Sequence, residues 1–384
     1  TFIDDPVRKV NGSYDCPVEI ELDNPEACPA FAGALVRGVK DGPSPDWLQA
    51  RLKAVGITPK SLLVDITNYI SIDRARPLHA YDAAKLKGPI RARLGKDSEH
   101  CDALDGKTYQ VNSDMCVIAD ESGVIGLGGV MGGESTAVSE TTTDVFIESA
   151  WFDPLRTART GRTTGIISDA RYRFERGVDP QSCVEGVQLA VRLITEYGGG
   201  SASKVSLAGE PPRNDEPVEF FKRDVARLTG LDIKPAAMKK TIKSLGFTIE
   251  DTGETWLLKV PSWRFDIEQS ADLVEEIARL EGFDALPTTS LPPLAGGKRV
   301  VTPPIQDRVR TARRTLAARG FLETVTWSFM PKPFAELFGG GAAALTVANP
   351  VASELNQMRP SILANLALAV QRGADHGERD LRLF

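Results

Sequence analysis

The sequence predicts a multidomain protein of the α+β class. Its 384 residues exceed the roughly 100–200 residues of a typical domain. Amphipathic helical patterns and short β-like runs with Gly-rich turns share the same stretches, and the Pro-rich segment LPTTSLPPLAGG reads as a linker. We therefore expect the end of an upstream domain at 1–27, an α+β domain at 28–210, a small domain at 215–291 and a further unit at 303–384.

The domain at 28–210 begins with a helical pattern. Ser44-Pro45 opens it with Pro at the first helical position, and Gly56 ends it. Its apolar face consists of Trp47, Leu48, Leu52 and Val55. β-like runs follow at 115–118 and 145–147, and the helical segment VEGVQLAVRLITEYGGG closes the domain.

The two later units are shorter. DVARLTG and PAAMKKTIKSLGF read as helices and FTIED and TWLLKV as a strand pair, which resembles a winged helix-turn-helix. Lys239, Lys240 and Lys243 fit a solvated face better than a base-reading set, so no DNA partner is expected. The last unit carries the basic amphipathic helix QDRVRTARRTLAARGF and the strand-like TVTWSF.

An acidic cluster lies in PSWRFDIEQSADLVEEIARLEGF, and no comparable group of Lys or Arg accompanies it. Its members are Asp266, Asp272, Glu275 and Glu276. A helix over 270–280, capped by Ser270 and with Leu273, Ile277 and Leu280 as its apolar stripe, brings the last three carboxylates to one side. Such oxygens suit a divalent cation such as Mg²⁺, while acidic residues in a first turn also complement the helix dipole, so both interpretations stay open.

Composition and motifs narrow the function. The absence of an 18-residue apolar window predicts no membrane span. Five cysteines without a CxxC favour a reducing compartment, the cytoplasm, and argue against a thiolate zinc site. GVIGLGGVMGGE lacks the spacing of a nucleotide-binding loop, and a net charge of -6 supplies no long-range attraction for nucleic acid.

Six segments, taken in order, resemble the beta subunit of bacterial phenylalanyl-tRNA synthetase. They are PSPDWLQARLKAVGITPKSLLVDITNYI, RPLHAYDAAKLKG, LGGVMGGE, ESAWFDP, SDARYRFERGVDP and PSWRFDIEQSADLVEEIARLEGF. The resemblance implies a mixed α/β editing domain, a helix-turn-helix-like small domain, and the start of a catalytically inert, class II synthetase-like antiparallel sheet domain. Family domains at both ends, for oligonucleotide and anticodon contacts, are expected to be missing from this chain.

The resemblance also implies partners and chemistry. In that family two alpha and two beta subunits assemble, the alpha subunit attaches phenylalanine to tRNA(Phe) with ATP, and the beta subunit hydrolyses mischarged tyrosyl-tRNA(Phe). Arg359 of MRPSIL would lie on a surface that packs against the alpha subunit. The cofactor would be Mg²⁺ on Asp266, Asp272, Glu275 and Glu276.

The implied editing residues are Thr67, Asn68, His79, Gly132, Gly133, Glu148, Ser168 and Ala170. Glu148 would accept a hydrogen bond from the tyrosine hydroxyl, Ala170 would leave room for that hydroxyl, and His79 would orient water or the ester. The alternative for Glu148 is a surface or ion-paired carboxylate, with Arg173 and Arg176 as candidate partners.

This sequence departs from the family pattern near Ser168, which stands where Thr is usual. Arg171 replaces a small residue and would narrow the entrance or touch the tRNA backbone, and Ile166-Ile167 stands where Leu-His is common. Two functions are therefore favoured: a beta subunit with an active editing site, or a non-catalytic assembly and tRNA-docking subunit with a decayed pocket. A DNA-binding regulator is the third, and the acidic charge disfavours it.

Overall fold

The computed structural model describes residues 8–213, 215–291 and 302–384 and contains two units, residues 1–288 and 289–384. Helices and several β-sheets occur together, so the predicted mixture of α and β structure is confirmed. Residues 1–7 of the predicted upstream remnant and 292–297 of the predicted linker lie outside the described residues.

Two five-stranded sheets form the frame of residues 8–213. The strands are β1 Ile20–Leu22, β2 Ala30–Arg37, β3 His79–Asp82, β4 Ile90–Leu94, β5 His100–Asp102, β6 Thr108–Gln110, β7 Cys116–Asp120, β8 Gly123–Leu127, β9 Met131–Gly132, β10 Asp144–Trp151, β11 Ser201–Ala202 and β12 Ser206–Gly209. The central sheet has the order β11-β2-β10-β3, with β12 also paired to β2. The second sheet has the order β1-β4-β7-β8-β9, and β5 and β6 form a hairpin.

The central sheet is buried on both faces. The helices of this part are α1 Asp46–Ala54, α2 Leu62–Asp73, α3 Pro154–Thr164, α4 Asp169–Phe174 and α5 Cys183–Gly198. Along β10, Val145 and Ile147 pack in a core with α2 and α5, while Phe146 and Ala150 pack with the second sheet. Because side chains alternate along a strand, Glu148 points to the same side as Phe146, between the two sheets.

The opening helix differs in detail from its prediction. Pro45 is the N-cap of α1 and not its first helical residue. Leu48 and Leu52 are buried, whereas Val55 is 54% exposed because the helix ends before it. The predicted β-like runs correspond to β7 and β10, and the closing helix is α5.

Residues 218–281 form a small subdomain with its own core. Its elements are β13 Val218–Phe221, α6 Lys222–Thr229, α7 Pro235–Ser244, β14 Thr248–Asp251, β15 Thr255–Lys259 and α8 Ser270–Glu281. The strands form a three-stranded sheet in the order β13-β15-β14, one strand more than predicted. Trp256 and Phe220 lie in the core with Leu273 and Ile277 of α8.

Two expectations for α8 were wrong. Gln269 is the N-cap, in a capping box with Asp272, because its side chain accepts from the backbone of the first turn. Ser270 instead lies inside the helix, where its hydroxyl donates to Asp224. Leu280 is 48% exposed, and Val274 takes its place in the buried stripe.

The second unit has little sheet. Its elements are α9 Pro304–Ala318, β16 Phe329–Met330, α10 Lys332–Leu337, β17 Gln357–Met358 and α11 Ile362–Asp375. Of the predicted strand TVTWSF only Phe329 is in a strand, because residues 324–328 have no partner strand among the described residues. Val325 is 93% and Trp327 69% exposed. None of the helices among the described residues has the length and apolar character needed to cross a membrane.

Candidate functional site

A small cavity lies between the two sheets, next to α4. Its volume is about 70 Å³, several times the roughly 10–15 Å³ that one water molecule needs. It is lined by Pro77, Leu78, His79, Tyr81, Ile118, Gly126, Leu127, Gly128, Gly129, Val130, Met131, Gly132, Glu148, Phe152, Ala170 and Phe174. The structure thus brings together four predicted residues, which are His79, Gly132, Glu148 and Ala170.

Glu148 is the buried carboxyl group of this cavity. It is only 6% exposed, and the Tyr81 hydroxyl donates a hydrogen bond of 2.5 Å to its Oε2. Burial raises the pKa of Glu148 to about 7, against the opposing effect of the Tyr81 hydrogen bond. The alternative of a surface or ion-paired carboxylate is wrong, since Arg173 pairs with Asp169 and Arg176 with Glu175.

His79 lies directly across from Glu148, in the β3–β10 register. Its ring meets that of Tyr81 edge to face, with the centroids 4.4 Å apart. Nε2 is buried without a hydrogen-bond partner among the described residues. Burial lowers the pKa of His79 to about 4, so the imidazole is neutral at pH 7 and Nε2 can bind water or an ester oxygen.

Gly132 lets the second sheet approach this imidazole. A Cβ placed on Gly132 would lie 2.2 Å from His79 Cε1 and 2.6 Å from its Nε2. Real side chains do not come so close, so any larger residue would displace the ring.

The other four predicted residues do not line the cavity. Thr67 and Asn68 are on α2, where the Thr67 hydroxyl donates to Val64 O at 2.8 Å. The Gly133 amide donates to Ile125 O at 2.8 Å. Ser168 caps α4 and donates to Val130 O at 2.6 Å, so it fixes a neighbouring loop to the cavity wall.

Arg171 acts inside the protein, which corrects the expectation that it narrows the entrance or meets the tRNA backbone. Its Nε bonds to Glu175 at 3.0 Å, and its Nη1 donates to Gly161 O at 3.0 Å and Ile166 O at 2.5 Å. The side chain is 17% exposed and is absent from the cavity lining. It therefore ties α3 to α4 and holds the loop before Ser168.

The acidic cluster is neutralised from within, so the expectation of no accompanying cations was wrong. Arg264 binds Asp266 at 2.8 and 2.6 Å and Glu276 at 3.2 Å. Arg279 also binds Glu276, at 2.8 Å. The hydrogen bond from Arg264 lowers the pKa of Asp266, and burial is outweighed at Glu276 by Arg279 and Arg264, which lower its pKa.

The remaining two carboxylates do not complete an ion site in this arrangement. Asp272 Oδ2 accepts from the amides of Glu268 and Gln269, at 2.8 and 2.9 Å, and Glu275 is exposed. Within the described ranges no group of three or more His, Cys, Asp or Glu side chains converges as a metal-ligand set. As arranged here, the four carboxylates do not fit a bound Mg²⁺.

Larger clefts occur elsewhere but contain none of the predicted site residues. One of about 630 Å³ lies near Lys85, His100 and Thr136, and one of about 370 Å³ lies near Gln181 and Trp263. Volume alone therefore does not identify the site. The smaller cavity is distinguished by a buried carboxyl group and an imidazole facing each other.

Three protein families match successive parts of the chain. They are the B3/4 domain at residues 27–199, the tRNA synthetase B5 domain at residues 218–283, and the phenylalanyl tRNA synthetase beta chain CLM domain at residues 288–384. The cavity lies within the first match and the acidic cluster within the second.

Curated relatives are similar over the whole chain. The phenylalanine-tRNA ligase beta subunit of Rhodopseudomonas palustris is 48% identical over 383 residues, which cover 100% of this chain and 48% of that protein. The beta subunit of Rhodospirillum rubrum is 49% identical over 389 residues, covering 100% and 48%. The chain therefore spans about half the length of these relatives.

Solved structures are also similar to this chain. One of them is an N-terminal fragment of the phenylalanyl-tRNA synthetase beta subunit from Pyrococcus horikoshii, with 15% identity, a TM-score of 0.35, and coverage of 72% of this chain and 79% of that one.

Proposed function

We propose that this chain, which belongs to the phenylalanine-tRNA ligase beta-subunit family, hydrolyses tyrosyl-tRNA(Phe) in the cavity between its two sheets. One observation carries the proposal: the buried Glu148 carboxyl group faces an otherwise largely apolar cavity and lies opposite an imidazole nitrogen that has no hydrogen-bond partner in the described part of the chain. Tyr81 donates to one oxygen of this carboxyl group, and a ligand hydroxyl in the cavity can donate to the other.

The cavity can distinguish tyrosine from phenylalanine. Ile118, Phe152 and Phe174 supply apolar walls for an aromatic ring, and Glu148 supplies an acceptor for a ring hydroxyl. A site built to hydrogen-bond a hydroxyl discriminates against a ligand that lacks one, because its own polar group is then left unpaired. Ala170 adds only a methyl group to the wall next to α4.

Hydrolysis needs a positioned water and no covalent nucleophile. The tRNA ester is already activated, so holding water at the carbonyl carbon supplies much of the rate enhancement. His79 Nε2, neutral and without a partner among the described residues, can orient that water. Thr67, Asn68, Gly133 and Ser168 would act from outside the cavity lining, and Gly132 leaves space for the imidazole.

The proposal extends to the assembly. An alpha subunit would carry ATP-dependent attachment of phenylalanine, with two alpha and two beta subunits binding tRNA(Phe) in the cytoplasm. The alternative is a non-catalytic assembly and tRNA-docking subunit. The buried, solvent-shielded Glu148 favours the editing function, because a decayed pocket would have no reason to keep a costly buried carboxyl group.

The test is hydrolysis of preformed tyrosyl-tRNA(Phe) by this chain assembled with an alpha subunit. Wild type is compared with Glu148→Gln, which keeps the shape but not the charge. We expect faster loss of the tyrosyl ester with wild type and a large reduction in the variant. Loss at the spontaneous rate with both proteins would support the docking alternative.

We also propose that Asp266, Asp272, Glu275 and Glu276 bind Mg²⁺ in an arrangement other than the one described above. Because Arg264 now occupies both oxygens of Asp266, an ion would have to displace its guanidinium group. If the ion binds these carboxylates, millimolar Mg²⁺ should raise the melting temperature of wild type and should not raise that of Asp266→Asn. If Mg²⁺ affects both proteins equally, the cluster is an arginine-neutralised structural element only.

A further inference from the structure

Tyr81 contacts both polar groups of the cavity. In the sheet it pairs with Phe146, two residue pairs from the His79–Glu148 pair, so its side chain leans diagonally toward Glu148. It is 1% exposed, and its hydroxyl donates to Glu148 Oε2 at 2.5 Å. Its ring packs against His79 and lies 6.3 Å from Phe146, measured between centroids.

We propose that Tyr81 is a positioning residue for Glu148: its hydroxyl holds Oε2 and favours the carboxylate form, leaving Oε1 to receive the substrate hydroxyl. The inference rests on the proposed editing function and adds a residue that determines its specificity. Among the described residues, Tyr81 is the hydrogen-bond donor to this carboxylate.

The hydrogen bond sets two properties of Glu148. First, it fixes the rotation of the carboxyl group, because one oxygen is tied to a ring that the core immobilises. Second, a donor stabilises the charged form of a buried acid, and a charged acceptor binds a phenol more strongly than a neutral one. Without the Tyr81 hydroxyl, the carboxyl group would be free to rotate and would be protonated more easily.

Burial moves the pKa values of four groups around Glu148 away from neutral pH. Burial lowers the pKa of His79 to about 4 and raises that of Cys116 on β7 to about 12. Burial also raises the pKa values of Cys28, next to β2, and of Tyr81 well above their ordinary values. The charges of Cys101 and Asp120 add to the rise in the pKa of Tyr81, and the charge of Arg156 opposes the rise in the pKa of Cys116.

Tyr81→Phe tests the inference by removing one oxygen and keeping the ring. The matched control is Tyr109→Phe, since the Tyr109 hydroxyl also donates to a carboxylate, Asp105, at 2.7 Å but outside the cavity. Tyrosyl-tRNA(Phe) and phenylalanyl-tRNA(Phe) hydrolysis are measured from about pH 5.5 to 8.5, a range centred on the pKa of Glu148, with each protein assembled with an alpha subunit.

We expect Tyr81→Phe to lower the preference for the tyrosyl ester roughly tenfold at pH 7, the size of effect that losing one hydrogen bond to a charged group produces. The midpoint of the pH profile should also move to higher pH. Tyr109→Phe should match wild type in both measurements. A Tyr81→Phe profile that coincides with that of wild type, in a selective wild-type enzyme, overturns the inference.

A second readout separates the inference from the function on which it rests. Infrared difference spectra of the same proteins report the protonated carboxyl group of Glu148, identified by its loss in Glu148→Gln. The pH midpoint of this signal should be higher in Tyr81→Phe than in wild type, even if wild type hydrolyses no ester. Absence of ester hydrolysis by wild type would contradict the proposed function and leave the role of Tyr81 standing. If Tyr81→Phe does not fold, a ring-fluorinated tyrosine takes its place at position 81. Its hydroxyl is a stronger donor, so the pH midpoint of Glu148 protonation should fall. An unchanged midpoint overturns the inference.

Discussion

Substitution of Gly132 by Ala should displace His79. The added Cβ would lie 2.2 Å from Cε1 and 2.6 Å from Nε2 of the imidazole, well inside contact distance. The ring is confined by Tyr81, so relief requires a shift of His79 or of strand β9. Overpacking of this kind lowers the free energy of unfolding by about 1–3 kcal/mol. A displacement near 1 Å at a catalytic group lowers the rate by roughly a hundredfold.

Gly126 provides the matched control. It pairs with Gly132 across β8 and β9 and also lines the cavity, yet a Cβ there would meet its nearest atom, Gly132 Cα, at 3.5 Å. We expect Gly126→Ala to retain stability and most tyrosyl-tRNA(Phe) hydrolysis, measured by thermal melting and ester loss. Equal effects of the two substitutions would refute the argument that Gly132 exists to accommodate the imidazole.

Three further predictions concern buried and paired charges. Folding raises the pKa of Glu148 from 4.5 to about 7, so its stabilising contribution is complete below the unfolded pKa and is lost as the pH rises through about 7, up to about 3 kcal/mol. Denaturant unfolding should show that the free energy of unfolding falls less over this pH range in Glu148→Gln than in wild type. Equal falls in the two proteins would contradict the raised pKa of Glu148. Arg171→Ala should lower the free energy of unfolding by about 1–3 kcal/mol, because two carbonyls and Glu175 lose their donor. Arg176 is an exposed partner of the same Glu175, so Arg176→Ala should lower that free energy by only about 0–1 kcal/mol. Arg264→Ala should lower the melting temperature, since Asp266 and Glu276 would lose a shared cation. Added salt should reduce the difference from wild type. A melting temperature equal to that of wild type would contradict this role of Arg264.

The sequence predicts the long elements well, because an amphipathic period marks α5 and a continuous apolar run marks β10. Helix α5 and strand β10 lie where the pattern places them. The strand expected at TVTWSF is wrong because a strand needs a hydrogen-bonding partner, which a local pattern cannot supply. The extra strand β13 was missed although VEFF alternates buried and exposed residues.

The site was predicted in part. His79, Gly132, Glu148 and Ala170 share the cavity, as their motifs imply. Tyr81 was missed because its contact with Glu148 depends on the β3–β10 register, although the alternation in HAYD already places it on the same face as His79. Arg264 was missed because its pairing depends on the turn before α8, and its position two residues before Asp266 was the available signal.

The most direct test of the central claim is a competition assay. Tyrosyl-tRNA(Phe) and phenylalanyl-tRNA(Phe), with different labels, are mixed in one reaction with this chain and an alpha subunit, and the ratio of their hydrolysis rates is measured for wild type and Glu148→Ala. We predict a ratio that strongly favours the tyrosyl ester in wild type and falls toward one in the variant. An unchanged ratio in Glu148→Ala would contradict the role of this buried carboxyl group in recognising the hydroxyl.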